Sequence, residues 1–520
     1  MIAANVRRLA VYLVLAFASL SAALVWWQVL DAQALATRQD NPQVIATRRS
    51  LPRGSIFDAQ GRLLASSVVA DGISRRTYVD PAFTHLIGYA SLRFGTTGVE
   101  RAWDDLLTGR TDPNPLRDVL NDILDRQPDP HDLTLTIDQR LQDFAAAQLG
   151  ADRGAVVAID PQTGAILAMV STPSYDATGF SGDPATAQAP FDAIAATPDN
   201  PFLDRSRQGH YTPGSIMKVL TAAAALDTGA ITPQTTFPDQ PREEVDGFAV
   251  SGFTIREHDL GNVAPALWDL SPALQVSSNI YFAHVGLELG ADRYLDYAHR
   301  FGFCEGLRIG SDGRGLPVDP SFVSTQADGG CAPFRDDVEL ASAAFGQAAV
   351  SVTPLQMALL AATIANDGAV PQPFLVRDLR SHAAAPAAGP TSDILDTYGG
   401  GRGDPVISSQ VAAQVRQAMI DAVSGPIGRL YAGAGDVTRF GVSGVQTAGK
   451  TGTAERGPGL KPHSWFIGFA PAQAGSLPSI AIAVIVEGGG TGSGHAAPIG
   501  GAVMAEWLKL LAQGAVPGSV

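Results

Sequence analysis

The sequence contains few lysines and almost no cysteine. Only four of its 36 basic residues are lysines (Lys218, Lys450, Lys461 and Lys509), and the other 32 are arginines. A bias in genomic base composition can produce this ratio, but each remaining lysine is also a candidate for a position where arginine would fail. Two cysteines in 520 residues exclude a disulfide-rich scaffold and a cysteine-rich metal domain.

Excess positive charge and histidine clusters are also lacking. The formal net charge is −15, whereas a protein whose main partner is nucleic acid needs dense basic patches. The nine histidines form no His-x-x-x-His pattern and no cluster with cysteine, so we expect no metal site. With 45% hydrophobic residues the chain can bury a sizeable core, and its length favours two or three domains.

Long apolar runs are rare, and a single one could cross a membrane. Residues 9–30 are uncharged, and at 1.5 Å per residue they span a hydrocarbon core of about 30 Å. Trp26 and Trp27 lie near the far end of this run, where amphipathic aromatic side chains favour the membrane interface. The run therefore predicts one transmembrane helix.

The charges that flank this run predict its orientation. Arg7 and Arg8 precede it and Asp31 follows it, so the positive-inside rule predicts a cytoplasmic tail at 1–8 and an exported body. A cleaved signal peptide is the alternative, because Ala32-Gln33-Ala34 is a small-x-small site. The run is longer than the usual apolar core of a signal peptide, which favours an uncleaved anchor.

The pattern of apolar segments in the exported body predicts an α+β domain with one antiparallel sheet. The segments are a strand at 133–137, a helix at 138–149, a hairpin at 154–172, helices over 215–368, a loop at 381–405, strands at 464–470 and 480–487, and a helix at 499–511. Cys304 and Cys331 either pair or stay free, since the sequence does not determine the distance between them.

A serine and a lysine three residues apart form the first candidate for chemistry. A helix is expected to begin near Pro213 and to end by Gly229, which places Ser215 in its first turn and Lys218 on the same face. Backbone N–H groups in a first turn favour a developing negative charge. A hydroxyl beside an amine is an activated nucleophile when the amine can become neutral, which arginine effectively cannot.

Two further polar segments accompany this pair. Ser277, Ser278 and Asn279 interrupt an apolar helical stretch, so they must find partners or face a cleft; taken alone, they favour a capped turn. The tetrapeptide 450–453 (KTGT) precedes a strand, where Lys450 can attract a carboxylate. Residues 444–451 also spell a P-loop, but the glycines and proline that follow prevent the helix that a P-loop needs.

Ser-x-x-Lys, Ser-x-Asn and Lys-Thr-Gly in this order are the signature of penicillin-binding proteins and serine β-lactamases. Other segments resemble class B penicillin-binding proteins: RGSIFD at 53–58, GRLLA at 61–65, FGQ at 345–347, VTPLQMA at 352–358 and WFIGFAP at 465–471. The resemblance covers about residues 45–510. One departure is Asp204-Arg205, where the family usually has Asn-Arg.

The resemblance implies a membrane-anchored peptidoglycan D,D-transpeptidase with the penicillin-binding transpeptidase fold, an antiparallel sheet with helices on both sides plus an all-helical lobe. It implies a pedestal and interaction domain at 31–132, a transpeptidase domain at 133–512 and a tail at 513–520. The implied partners are peptidoglycan stem peptides, β-lactam inhibitors and a membrane glycosyltransferase, with no cofactor.

The resemblance also implies a role for each motif residue. Ser215 attacks the penultimate D-Ala carbonyl, Lys218 takes its proton, and Ser277 relays a proton to the leaving amine. Asn279 holds Lys218 and the substrate amide. Lys450 and Thr453 hold the terminal carboxylate of the substrate. Substrate binding also involves Ser278, Thr451 and Gly452. The N–H groups of Ser215 and Thr453 form the oxyanion hole.

Two other functions stay open at this point. One is a hydrolase on the same fold, a D,D-carboxypeptidase or β-lactamase, although no segment resembles the glutamate-bearing loop of class A β-lactamases. The other is a non-catalytic scaffold or β-lactam sensor. The intact pair of Ser215 and Lys218 argues against an inactive scaffold, and the lack of a cytoplasmic signalling domain argues against a sensor.

Overall fold

The computed structural model describes residues 2–27, 52–70, 73–111, 115–124, 129–310, 313–327, 330–382 and 392–514. The far end of the predicted membrane span and the alternative cleavage site at 32–34 lie outside these ranges.

Helices and short strands make up most of the described chain. The α-helices are α1 (Ile2–Val25), α2 (Thr84–Ile87), α3 (Gly98–Ala102), α4 (Asp104–Leu107), α5 (Pro115–Leu124), α6 (Gln139–Leu149), α7 (Gln188–Ala195), α8 (Lys218–Asp227), α9 (Gln240–Asp246), α10 (Leu270–Val276), α11 (Asn279–Leu289), α12 (Ala291–Arg300), α13 (Asp337–Ala344), α14 (Pro354–Ala365), α15 (Ser409–Ser424) and α16 (Ala496–Ala512). The strands are β1 (Ile56–Phe57), β2 (Leu63–Ala70), β3 (Ile73–Tyr78), β4 (Ala90–Ser91), β5 (Gly95–Thr96), β6 (His131–Leu135), β7 (Gly154–Ile159), β8 (Ile166–Thr172), β9 (Phe248–Val250), β10 (Phe253–Ile255), β11 (Leu307–Ile309), β12 (Leu316–Val318), β13 (Gln326–Ala327), β14 (Gly330–Cys331), β15 (Ala369–Pro371), β16 (Val376–Ser381), β17 (Ile394–Thr397), β18 (Arg402–Pro405), β19 (Ala448–Ala454), β20 (His463–Ala470) and β21 (Ile480–Val486).

The N-terminal apolar run forms the long helix α1. It begins at Ile2, earlier than the predicted start at residue 9, because the short segment before the run also has helical backbone. Its residues 5–25 are long and apolar enough to cross a membrane, and none of that segment is buried by the rest of the protein. An apolar helix that finds no protein core is typical of a membrane anchor.

A six-stranded sheet, in the order β17-β16-β6-β1-β2-β3, joins the N-terminal region to the rest of the exported body. β6 pairs in parallel with β1 on one side and antiparallel with β16 on the other. The predicted domain boundary at residue 132 falls inside β6. Strands from both predicted domains therefore share one hydrogen-bonded sheet, which ties the N-terminal region firmly to the larger domain.

A second, five-stranded antiparallel sheet, in the order β19-β20-β21-β7-β8, forms the centre of the larger domain. Four of its strands consist mostly of buried apolar residues, because helices cover both faces, whereas β19 carries lysine, threonine and glycine. On one face lies α14, all twelve residues of which are buried; Thr353 caps its first turn and Pro354 begins it. On the other face lie α6 and α16. This arrangement confirms the predicted α+β fold with its antiparallel sheet.

Several predicted elements occur where the sequence placed them. The hairpin at 154–172 is β7 and β8, the helix at 138–149 is α6, and the last strands and helix are β20, β21 and α16. Asp138 caps α6 through its side chain, and Gly150 ends it with φ +57.

One local prediction is wrong, and another is incomplete. The segment at 381–405 was expected to be a loop, but its described part contains β17, which pairs with β16, and β18, which pairs with β15. These strands are short and exposed, so their sequences carry no apolar alternation. The tetrapeptide 450–453 precedes the strand β20, as predicted, and also lies in a strand of its own, β19, which pairs with β20.

The two cysteines form a disulfide between Cys304 and Cys331, with the Cα atoms 5.1 Å apart. The bond joins the chain that follows α12 to β14. This result resolves the alternative that the sequence left open.

Candidate active site

The nucleophile turn is a tight 3-10 turn, Gly214–Met217, that leads directly into α8. Gly214 adopts φ +59, a left-handed conformation that glycine tolerates best. Its N–H donates to the carbonyl of Gly346 at 2.9 Å. A Cβ on Gly346 would lie 1.9 Å from the Gly214 carbonyl oxygen, so only glycine permits this approach. Ser215 is held, half-exposed, at the mouth of the site.

Lys218 lies directly behind Ser215. Its Nζ is 3.0 Å from Ser215 Oγ, and its side chain is fully buried. The same Nζ contacts Asn279 Oδ1 at 2.9 Å and Ser277 Oγ at 3.2 Å, and donates to the Ser277 carbonyl. Burial lowers the pKa of Lys218 to about 7, and the charge of Glu257 opposes this effect. The amine can therefore lose its proton near neutral pH.

Ser277 lies in a break between two helices. It ends α10 with φ +64 and ψ +38, a left-handed conformation that is uncommon for serine. The next helix, α11, begins two residues later, so the serine side chain is free of either helix and reaches the two lysines. The predicted polar interruption of an apolar stretch is therefore a real turn. Apolar side chains on both sides of it are buried.

The Ser278 hydroxyl makes its hydrogen bonds within the protein. Its side chain is fully buried, and its Oγ accepts a hydrogen bond from the N–H of Tyr281 at 3.1 Å, which caps α11. The same hydroxyl donates to Glu257 Oε2 at 2.8 Å. The substrate-binding role that the resemblance implies for Ser278 stays a prediction.

Lys450 approaches the same point from β19. Its Nζ donates to Ser277 Oγ at 2.8 Å and to the Thr451 carbonyl at 3.0 Å, and its side chain is 1% exposed. Burial and the nearby Lys218 both hold the pKa of Lys450 well below the usual range of lysine. Two amines thus converge on one hydroxyl, and an anion that entered the site would be attracted to them.

The rest of the Lys-Thr-Gly segment forms one wall of the cleft. Thr451 and Gly452 are buried, whereas Thr453 is exposed and accepts from the N–H of Gly492 at 3.2 Å. A Cβ on Gly452 would lie 2.7 Å from the carbonyl oxygen of Pro213. The lack of a side chain at Gly452 thus permits a close approach of the chain at Pro213. The part in substrate binding that the resemblance implies for Gly452 stays a prediction.

The site also contains residues that the sequence analysis missed. Glu257 is 2% exposed and contacts the start of α11, and His258 lies near Lys218, Glu257 and Lys450, whose charges act on its pKa. No motif surrounds these residues, since they lie in a charged loop after β10. Among the described residues, no three His, Cys, Asp or Glu side chains converge to hold a metal ion.

The departure from the usual Asn-Arg lies behind the nucleophile turn. Arg205 Nε donates to Glu487 at 2.7 Å, and the Tyr211 hydroxyl donates to the same carboxylate at 2.8 Å. Asp204 instead pairs with Arg207 at 2.7 Å. Arg205 and Tyr211 thus both bind Glu487, the residue that follows β21. These contacts are present although Asp204 stands where the family usually has asparagine.

Comparisons with known proteins agree with this geometry. Residues 154–505 match the penicillin binding protein transpeptidase domain, and residues 53–132 match the penicillin binding protein A dimerisation domain. The chain is 35% identical to peptidoglycan D,D-transpeptidase PbpA of Mycolicibacterium smegmatis, over 97% of this chain and 99% of the relative. It is 27% identical to peptidoglycan D,D-transpeptidase MrdA of Escherichia coli, over 82% and 70% of the two chains.

Solved structures show the same similarity. Penicillin-binding protein A from Mycobacterium tuberculosis, in its ceftriaxone acyl-enzyme complex, superposes with a TM-score of 0.74 at 33% identity, covering 88% of this chain and 98% of that one. Pseudomonas aeruginosa PBP2 superposes with a TM-score of 0.68 at 28% identity, covering 88% and 96%. The chain belongs to the class B penicillin-binding proteins.

Proposed function

We propose that this protein is a peptidoglycan D,D-transpeptidase that cross-links stem peptides through an acyl-enzyme on Ser215, with release of D-Ala, and that β-lactams acylate the same serine. The observation that carries this proposal is the buried amine of Lys218, 3.0 Å from Ser215 Oγ. A neutral amine at this distance is a general base for the hydroxyl. The acyl-enzyme complexes of the structural relatives support it further.

In the first half of the reaction, Ser215 Oγ attacks the penultimate D-Ala carbonyl carbon and passes its proton to Lys218. The N–H groups of Ser215 and Thr453 stabilise the oxyanion that forms. Ser277 then passes a proton to the nitrogen of the terminal D-Ala as the C–N bond breaks, and Ser277 Oγ takes back the proton that Lys218 holds. Its hydroxyl contacts both lysines, which suits a relay.

In the second half, the amine of a neighbouring stem peptide attacks the ester carbonyl carbon and gives a proton to Lys218. Lys218 passes a proton to Ser215 Oγ as the C–O bond breaks. Asn279 holds Lys218 and the substrate amide throughout. Lys450, Thr451, Gly452 and Thr453 form the wall that receives the terminal carboxylate, and the negative charge of that group favours the protonated form of Lys450.

Labelling tests the proposal directly. We expect the full-length protein in detergent to be labelled once by a fluorescent penicillin, and Ser215→Ala to abolish the label. Ser493→Ala is the matched control, because Ser493 is a half-buried serine, like Ser215, whose hydroxyl bonds only to nearby Thr491 in the described contacts. Equal labelling of wild type and Ser215→Ala would exclude Ser215 as the nucleophile.

The proposed topology places the tail at 1–8 in the cytoplasm, the anchor at 9–30 in the membrane and the catalytic domain outside. The two arginines that precede the anchor support this orientation. A tag at the N-terminus should stay with the full-length chain and resist protease added outside the cell. Recovery of a soluble chain that begins at Gln33 or later would contradict the anchor.

We also propose a domain organisation of 31–132, 133–512 and 513–520, with the first segment binding a membrane glycosyltransferase. Apolar side chains exposed on this segment support a partner: Val68, Val69, Leu116, Val119 and Ile123. A photo-crosslinker at Val68 should capture such a polymerase, whereas one at the exposed Leu477 of the larger domain should not. Equal capture at both positions would contradict the proposal.

A further inference from the structure

The buried carboxylate of Glu257 lies directly behind the turn that carries Ser277 and Asn279. It follows the hairpin of β9 and β10, and its side chain is 2% exposed. A carboxylate so deeply buried must be compensated by hydrogen bonds or charges, or it would destabilise the fold. The contacts it makes therefore indicate what it holds in place.

Four donors surround this carboxylate. Oε1 accepts from the N–H of Asn279 at 2.8 Å and from the N–H of His258 at 3.0 Å. Oε2 accepts from Ser278 Oγ at 2.8 Å and from the N–H of Ile280 at 3.2 Å. Each of the four contacts can supply a donor, and an ionised carboxylate, which only accepts, needs such partners. Its position at the start of α11 also favours a negative charge.

The same contacts connect Glu257 to the reacting atoms. The N–H of Asn279 is bound by Glu257, and Oδ1 of Asn279 is 2.9 Å from Lys218 Nζ. The turn at Ser277 has a φ of +64, which is unfavourable for serine. It is held by the end of α10 on one side and by the hydrogen bonds of Glu257 on the other. A shift of the turn would move Ser277 Oγ away from both lysines.

We propose that Glu257 is a positioning residue for acyl transfer, whose buried carboxylate anchors the turn that carries Ser277 and Asn279 and places a negative charge close to Lys218. The inference rests on the proposed function and deepens it. The negative charge has a second, separable effect, because it raises the pKa of Lys218 against the lowering by burial. The Glu257 carboxylate is thus a counter-charge for the amine of Lys218, which also lies near Lys450.

The titratable neighbours of Glu257 come from several elements: Lys218 on α8, Glu244 on α9, Tyr431, and the adjacent His258, on which Lys450 of β19 also acts. The charge of Glu257 raises the pKa of Lys218 and of His258 alike. Its removal therefore shifts both titrations to lower pH, and no opposing shift masks the change.

The test measures the rate of acylation by a fluorescent penicillin from mildly acidic to mildly alkaline pH, with the full-length protein in detergent. Glu257→Gln keeps the size of the side chain and removes the charge. We expect its plateau rate to fall about 10- to 100-fold, as misplaced catalytic groups do. The midpoint of its pH profile should also move to lower pH.

Two other variants separate position from charge. Glu257→Asp keeps the charge on a shorter side chain, so its plateau should fall while its midpoint stays that of wild type. Glu339→Gln is the matched control: Glu339, in the first turn of α13, is also 2% exposed and binds the N–H of Arg335 and the Thr325 hydroxyl. None of its described contacts is with Ser277, Asn279 or Lys218. It should leave both plateau and midpoint unchanged.

An unmoved midpoint in Glu257→Gln would refute the charge effect, and a normal plateau in either Glu257 variant would refute positioning. If Glu257→Gln does not fold, the plateau rate of Glu257→Asp alone tests whether Glu257 positions the turn. Failure of wild type to be labelled, or labelling of Ser215→Ala, would instead contradict the proposed function, so the two failures are distinguishable.

Discussion

At the scale of single residues, the chemistry depends on an amine that can lose its proton. Lys218 is surrounded by Ser215, Ser277 and Asn279, and its pKa is lowered to about 7 chiefly by burial. An arginine cannot replace it, because guanidinium stays protonated at any operating pH. The scarcity of lysine in this chain thus coincides with two lysines, Lys218 and Lys450, that the site holds buried.

We predict that Lys218→Arg abolishes acylation, with a loss of at least about 10²-fold, because a general base typically contributes about 10²–10⁴-fold. Lys450→Arg should keep partial activity, since its proposed role needs charge and donors. Lys509→Arg, on the exposed side of α16, is the control. Labelling with a fluorescent penicillin measures all three, and near-normal acylation by Lys218→Arg would refute its role as base.

The pH dependence of acylation follows from the same residue. Below a pH of about 7 the amine of Lys218 is protonated and cannot accept the proton of Ser215. The acylation rate should therefore rise as pH increases through about 7 and then level off. Stopped-flow measurement across this range checks the prediction; a rate that is flat or that falls with rising pH would contradict it.

At the scale of elements, the nucleophile turn depends on close contact between two glycines. Gly346 has φ +86, and its carbonyl accepts from the N–H of Gly214, whereas its own N–H donates to the Ala343 carbonyl. A side chain on Gly346 would collide with the Gly214 carbonyl. The bends at Gly214 and Gly346 thus let the segment after α13 support the start of α8.

Gly346→Ala should therefore displace the turn and reduce acylation strongly, by about 10²-fold for a shift near 1 Å. Gly229→Ala is the matched control, because Gly229 also has a positive φ, +71, but a Cβ there would meet nothing within 4 Å. The control should lose about 1–2 kcal/mol of stability through backbone strain and keep its acylation rate. Thermal unfolding and labelling, measured together, distinguish the two. Equal acylation by both variants would show that the contact does not position Ser215.

At the scale of the whole molecule, the question is whether water or an amine resolves the acyl-enzyme. Glu257, a carboxylate near the motifs, has its oxygens occupied by four donors, so it is not directed at a water. A missing general base costs about 10²–10⁴-fold in rate. The architecture therefore favours a long-lived acyl-enzyme.

We predict that the penicillin adduct persists for many minutes and raises the intact mass by one drug molecule. Peptide mapping should locate the adduct between Tyr211 and Lys218. The non-acylated Ser215→Ala protein provides the baseline mass. Multiple-turnover hydrolysis of penicillin by the purified protein would overturn the transpeptidase proposal in favour of a β-lactamase.

Much of this protein could be predicted from sequence because the signals are local. The apolar anchor, the hairpin of β7 and β8, and the spacing of Ser215 and Lys218 each depend on neighbours a few residues apart. Helical geometry alone places a residue and its third neighbour on one face. The three motifs in order, together with the surrounding segments, were sufficient to indicate the family.

Only the tertiary structure decided how these parts meet. Lys450 reaches Ser277 across 173 residues of sequence, and Lys218 reaches it across 59. The sharing of one sheet by β1 and β16, and the disulfide of Cys304 and Cys331, likewise join distant segments. Glu257 carries no sequence signal, because a lone carboxylate in a loop becomes informative only when packing removes it from water and surrounds it with donors. Periodicity and spacing describe the order of residues along one element, whereas burial, which lowers the pKa of Lys218, is a property of the packed whole.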